Sequence, residues 1–171
     1  MIYNRISKEQ YYNLRVFELF SGENVYNKCY ATIAINNLMY KFAWESDMII
    51  PVIKELPSVA IAISVDRSFS IIRMRDNAVI RWSLTTNIID VFFVEDWCIG
   101  ICEMNVVSVK LENNPKYYKE YSVDDFISAY KMDRNMMVVL TLSDGSLKKI
   151  NLQNDNNLQV RKHINFIHQN K

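Results

Sequence analysis

The segment SVAIAISVDRSFSIIRMRDNAVIRWSL, residues 58–84, sets the fold that we predict for this chain. It contains three apolar runs separated by two polar turns, Asp66-Arg67 and Arg75-Asp76-Asn77. Short runs rich in Val and Ile between such turns are typical of β-strands joined by tight hairpins. The predicted antiparallel strands lie near 59–65, 69–74 and 78–84.

Two later segments repeat this arrangement of strands and turns. They are IIDVFFVEDWCIGICEMNVVSVKL (88–111) and DFISAYKMDRNMMVVLTLSDGSLKKINL (125–152). Each again has an apolar strand, an acidic turn, a second strand, a second turn and a third strand. The predicted strands lie near 88–94, 97–103, 106–111, 126–132, 136–142 and 147–152.

Tandem units of three or four meandering strands are the building blocks of β-propellers. KYYKEYS (116–122) offers a fourth, outer strand to the second unit, and PVIKELPS (51–58) offers one to the first unit, 58–84. Three or so units cannot close a ring. We therefore predict a mainly β fold, an antiparallel meander of propeller-blade-like units with three to four strands each, forming an open, partial propeller.

The N-terminal region adds a hairpin and a short helix to this prediction. CYATIAI (29–35) and LMYKFAW (38–44) read as two strands joined by an asparagine turn. Ser7 and Gln10 form a capping box, which predicts a helix from about 8 to 20. The alternative is a shorter helix followed by a strand near Leu14, because the following residues favour strands.

The size, charge and N-terminus of the chain limit its class. With 171 residues, half of them hydrophobic, a single domain over 1–171 is expected. The formal net charge of +1 lacks the basic excess of nucleic-acid-binding proteins, so we expect no nucleic-acid partner. Arg5, Lys8 and Glu9 interrupt any N-terminal signal core, and no apolar run is long enough to span a membrane. We expect a cytoplasmic protein with no membrane partner.

Cys98 and Cys102 are the residues that most invite a chemical interpretation, as a metal site, a redox pair or sheet core. On a strand, positions four apart share one face and lie about 13 Å apart, too far for one metal ion. A zinc site would also need further ligands, and the histidines His163 and His168 stand far away in the basic C-terminal region. We predict that both cysteines fill the sheet core as small apolar groups.

Catalytic patterns are missing from the sequence. Neither histidine follows a nucleophile pattern, and three scattered glycines cannot form a phosphate-binding loop. We therefore expect a protein that is not an enzyme and that uses no cofactor and no metal.

Acidic turns and a tyrosine-rich insertion are the candidate partner-binding features. Loops held by a rigid sheet often carry recognition, and tyrosine is enriched at protein interfaces. We expect the acidic turns to lie toward one edge of the meander and the tyrosines to be exposed anchors. The candidate residues are Glu95, Asp96, Tyr117, Tyr118, Tyr121, Asp124, Asp125 and Asp133.

A small, nearly neutral chain that is rich in Asn, Ile and Tyr and lacks a catalytic pattern resembles the immunity proteins of bacterial polymorphic toxin systems, especially those of contact-dependent growth inhibition. The resemblance lies in the character of the whole chain, and it carries no residue roles. It implies an antitoxin that binds a cognate toxin domain, often a basic nuclease, and blocks its active site.

Two other functions stay open from the sequence. One is a propeller-like protein-protein interaction module or assembly subunit unrelated to toxins, and the other is a β-domain with a small-ligand or catalytic pocket. The neighbouring gene separates these hypotheses, because a toxin domain encoded directly upstream favours the immunity protein.

Overall fold

A computed structural model describes residues 3–20, 26–111, 118–133, 136–152, 159–161 and 165–167 of the chain. Within these residues the protein is mainly β, and its helix α1 spans Lys8–Asn13. The strands, in chain order, are β1 (Asn4–Arg5), β2 (Phe17–Glu18), β3 (Cys29–Ile35), β4 (Leu38–Trp44), β5 (Val52–Leu56), β6 (Ala60–Val65), β7 (Ser68–Arg73), β8 (Val79–Ser83), β9 (Ile88–Val94), β10 (Trp97–Cys102), β11 (Asn105–Lys110), β12 (Tyr118–Ser122), β13 (Ile127–Asp133), β14 (Met137–Leu142), β15 (Leu147–Asn151), β16 (Gln159–Arg161) and β17 (Asn165–Ile167).

The chain divides into two compact units. The first comprises Met1–Thr85 and Asn165–Lys171, and the second comprises Thr86–Ile164. Each unit has its own hydrophobic core. The single domain over 1–171 stays a prediction.

The first unit contains two sheets, with strand orders β1-β3-β4-β2 and β17-β8-β7-β6-β5. The predicted asparagine turn between β3 and β4 is confirmed, because Asn36 and Asn37 adopt φ values of 50° and 61°. Both residues therefore take the left-handed conformation of a two-residue hairpin turn, which Asn tolerates. Side chains from both sheets form the core, among them Phe42, Trp44 and Ile63.

The N-terminal helix is shorter than the predicted helix from 8 to 20. It agrees with the alternative prediction of a short helix followed by a strand. The capping box is present, since Gln10 N donates to Ser7 Oγ and Ser7 N donates to Gln10 Oε1. The helix ends at Asn13 because Leu14 is extended, and β2 follows. Lys41 Nζ donates to the Tyr11 and Leu14 carbonyls at 3.0 Å each and so holds the end of the helix against β4.

The outer strand predicted for the segment 58–84 is confirmed. β5 is an edge strand of the β17-β8-β7-β6-β5 sheet and pairs with β6 in the register Leu56 to Ala60. Val59 N donates to Leu56 O at 3.0 Å and closes a short turn between the two strands. So short a connection makes β5 an antiparallel neighbour of the next strand, and it begins its own sheet.

The second unit contains a sheet of order β16-β12-β11-β10-β9 and a sheet of order β13-β14-β15. All nine strands predicted from the three repeated segments are present, each within about one residue of its expected ends. The core of this unit contains Ile101, Val138 and Leu140. The predicted class, mainly β with small antiparallel meanders like propeller blades, is confirmed. Among the described residues no helix is long and apolar enough to span a membrane.

Candidate protein-binding surface

The predicted acidic residues lie at two opposite ends of the second unit. Glu95 and Asp96 form the turn between β9 and β10, whereas the Asp124-Asp125 segment follows β12 and is held beside the other end of β10. Val123 N donates to Met104 O at 2.9 Å there. The six residues of β10 separate these ends by roughly 20 Å. The expectation that the acidic turns share one edge is therefore wrong.

Asp133 belongs to the same end as Glu95 and Asp96. It ends β13, a seven-residue strand that begins beside Glu103, where Ile127 N donates to Glu103 O at 2.7 Å. Asp96 Oδ2 lies 3.7 Å from Lys110 Nζ, and both side chains are about half exposed. This ion pair offsets one of the three negative charges at this end.

The tyrosines expected as exposed anchors are buried. Tyr118 and Tyr121 are each only 5% exposed. They lie on β12, which pairs with β11 on one side and with β16 on the other, so β12 is an interior strand and not a projecting loop. Tyr121 joins the core of the second unit. Tyr117 lies outside the described residues.

At the other end, Asp125 links the segment after β12 to the turn between β14 and β15. Its Oδ1 accepts from Phe126 N at 2.7 Å, and its Oδ2 accepts from Ser143 Oγ and from Asp144 N. Ser143 N also donates to Phe126 O at 2.8 Å. These hydrogen bonds fix both loops, so their outward side chains are held in place before any partner binds.

The carboxylates of this linkage are held in the charged form. The Ser143 hydroxyl, followed by the Phe126 N–H, lowers the pKa of Asp125. Hydrogen bonds from Ser146 lower the pKa of Asp144, whose Oδ1 accepts from Ser146 N at 2.8 Å. Asp124 is exposed and lies 3.5 Å from Lys148 Nζ. Three carboxylates therefore face solvent beside one lysine.

Two exposed apolar side chains flank these carboxylates. Phe126 is 53% exposed and Leu147 is 68% exposed, each at one side of the Ser143–Ser146 turn. Sequence reasoning missed both because they begin strand-like apolar runs that suggest core. We call Asp124, Asp125, Phe126, Asp144 and Leu147 together the Asp125 surface. Aromatic side chains are enriched at protein interfaces, and carboxylates complement the charge of a basic partner.

Cys98 and Cys102 are fully buried, which confirms that they fill the sheet core. Burial raises the pKa of Cys102 to about 12, with smaller effects from Glu120 and Glu103, and burial alone raises the pKa of Cys98. Among the residues that the structure describes, no three His, Cys, Asp or Glu side chains group to hold a metal ion. His163 and His168 lie outside those residues.

No protein-family model, curated protein or solved structure matches this chain.

Proposed function

We propose that the protein is a cytoplasmic bacterial immunity protein, which binds a basic toxin domain through the Asp125 surface and blocks its active site. The proposal assigns no catalysis and no cofactor to this chain. Nucleases are the first class of toxin to test, because their substrate grooves are basic.

The observation that supports this proposal most is that ordered carboxylates lie beside exposed apolar side chains on the Asp125 surface. Asp125 and Asp144 accept hydrogen bonds from neighbouring loop groups, so their carboxylates are ordered without a partner. Phe126 lies between them in the linkage and is half exposed. Ordered loops lose little conformational entropy on binding, and complementary charge speeds association with a basic domain.

A cognate pair gives the direct test. The toxin domain encoded directly upstream of this gene is expressed in a sensitive bacterium with and without this protein. We expect growth arrest from the toxin alone and full growth when both proteins are present. Calorimetry on the purified pair should give a 1:1 complex, and stopped-flow mixing should give an association rate that falls as salt is added.

The opposite results favour the alternative function, a protein-protein interaction module or assembly subunit unrelated to toxins. They are an upstream gene that encodes no toxin, or growth arrest that persists when this protein is present. In that case the Asp125 surface remains the site to test, with a different basic partner.

A further inference from the structure

The first unit contains a polar cavity that the proposed function does not use. It has a volume of about 250 Å³ and lies at the end of the unit where β4, β8 and the turn between β6 and β7 meet. Its polar lining carries two carboxylates and one guanidinium. The lining residues are Asn27, Ala43, Glu45, Asp66, Arg67, Ser68, Ser83 and Leu84.

Two hydrogen bonds donated by backbone amides hold the walls of this cavity together. Glu45 N donates to Asp66 Oδ2 at 2.8 Å, which ties the end of β4 to the turn between β6 and β7. Leu84 N donates to Arg67 O at 2.6 Å, which ties the end of β8 to the same turn. The cavity is therefore formed before any ligand enters.

Among the lining residues, Asp66 has a carboxylate in an unfavourable environment. Its Oδ1 atom is buried and has no hydrogen-bond partner among the described residues. Burial raises the pKa of this carboxyl, although the Glu45 N–H opposes the shift. A buried acceptor without a donor is unfavourable, and costs of this kind concentrate at functional sites.

We propose that this cavity binds a guanidinium group, with Asp66 and Glu45 as its acceptors. Guanidinium carries five N–H donors and no acceptor, which suits a lining of carboxylate, hydroxyl and amide oxygens. The two carboxylates outnumber the single Arg67 cation, so a cation is favoured over an anion of the same size. This site is independent of the Asp125 surface and of the proposed function.

The volume restricts the ligand to a small group. At about 250 Å³, the cavity lies just below the size range of drug-sized sites. A free alkylguanidine or one arginine side chain fits this space. Both sources present the same head group.

The test is a titration of the ¹⁵N-labelled full chain with methylguanidine, followed by amide NMR shifts. Methylurea is the matched probe, since it has nearly the same planar shape and no charge. We expect methylguanidine to shift the amides of Glu45, Arg67 and Ser68 with a Kd on the order of millimolar, as a ligand of five heavy atoms allows. Methylurea should bind at least about tenfold more weakly.

Three variants make the assignment specific. Asp66→Asn keeps an oxygen for the Glu45 N–H and a residue that tolerates positive φ, and it should weaken methylguanidine binding at least about tenfold. Arg67→Gln removes the competing cation and should strengthen binding. Glu55→Gln, at an exposed position on β5, is the charge-matched control and should change nothing. Glu45→Gln replaces Asp66→Asn if the latter fails to fold.

Equal binding of methylguanidine and methylurea would overturn the proposal, as would undiminished binding by Asp66→Asn. Weaker binding by Arg67→Gln would show that Arg67 does not compete with the bound cation, and it would equally overturn the proposal. A capped arginine identifies the source of the head group. Tighter binding than methylguanidine assigns an arginine side chain, and weaker binding assigns a free small cation.

Discussion

Asp125 joins two loops of the second unit with a single carboxylate. Both of its oxygens accept hydrogen bonds, from the next residue in the chain and from the turn between β14 and β15. The side chain itself stays at the surface, so it can order the loops and also contact a partner. One residue thus links the packing of the loops to the proposed binding.

The lowered pKa of Asp125 predicts how stability depends on pH. Its usual value is 3.8. Because the folded-state pKa lies below that value, the stabilisation is present above about pH 4 and is lost as pH falls through the folded pKa. Asp125→Asn should therefore lower the melting temperature at pH 7 and lose less stability between about pH 4 and pH 2.

Thermal melts of the wild type and of Asp125→Asn between about pH 2 and pH 7 measure this dependence of the melting temperature on pH. Asp47→Asn, at an exposed position of the first unit, reports the general effect of removing one negative charge. If Asp125→Asn and the wild type lose stability in parallel below pH 4, the carboxylate does not hold the loops.

Exposure of single residues was the least predictable property of this chain. Tyr118 and Tyr121 have the composition of an interface, yet β16, a strand from the far C-terminal region, pairs with β12 and makes it an interior strand. Phe126 looks like the start of a core strand, yet it ends in a loop and is half exposed. Such outcomes depend on which distant strand arrives alongside, and local sequence does not carry that information.

Hairpins were the most predictable elements, because both of their determinants are local. Alternating apolar residues set the strands, and turn residues that accept positive φ, such as Asn37, Asn77 and Gly145, set the connections. Buried strands such as β6, whose six residues are all buried, also read directly from their apolar runs. Strand order was harder, because pairs such as β12 with β16 join strands that are far apart in the sequence.

The hairpin of β7 and β8 gives a prediction at this scale. Arg73 is 8% exposed, and its Nε and Nη2 donate to the two oxygens of Asp76 at 2.9 and 2.7 Å. Asp76→Asn should lower the free energy of unfolding by about 1–3 kcal/mol, because it weakens the bidentate, charge-assisted hydrogen bonds of the buried Arg73 guanidinium. Urea denaturation monitored by circular dichroism measures this change.

Asp96→Asn is the matched control, in the hairpin of β9 and β10. Its partner Lys110 is 3.7 Å away, and both side chains are about half exposed. Exposed ion pairs contribute little, so this variant should cost less than about 0.5 kcal/mol. Equal losses in the two variants would show that burial of Arg73 does not strengthen its ion pair.

At the scale of the whole molecule, the sequence predicts which turns are acidic. It does not predict at which end of a sheet each of these turns lies. An even number of strands between two turns returns the chain to the same end, and an odd number sends it to the other. Three strands, β10 to β12, separate Asp96 from Asp124, so the two lie at opposite ends. The acidic turns therefore do not share one edge, contrary to the prediction from the sequence. The candidate binding surface is instead the Asp125 surface.

The measurement that tests the central claim compares two charge reversals in calorimetric binding to the upstream toxin domain. Asp124→Lys with Asp144→Lys alters the Asp125 surface, and Glu95→Lys with Asp133→Lys makes the same charge change at the opposite end. With both variants folded by circular dichroism, we predict that the first raises Kd at least about 100-fold and abolishes protection, because charge pairs at an interface contribute strongly. The second should change Kd only a few-fold. Full affinity and protection in the first variant, or equal losses in both, would contradict binding through the Asp125 surface.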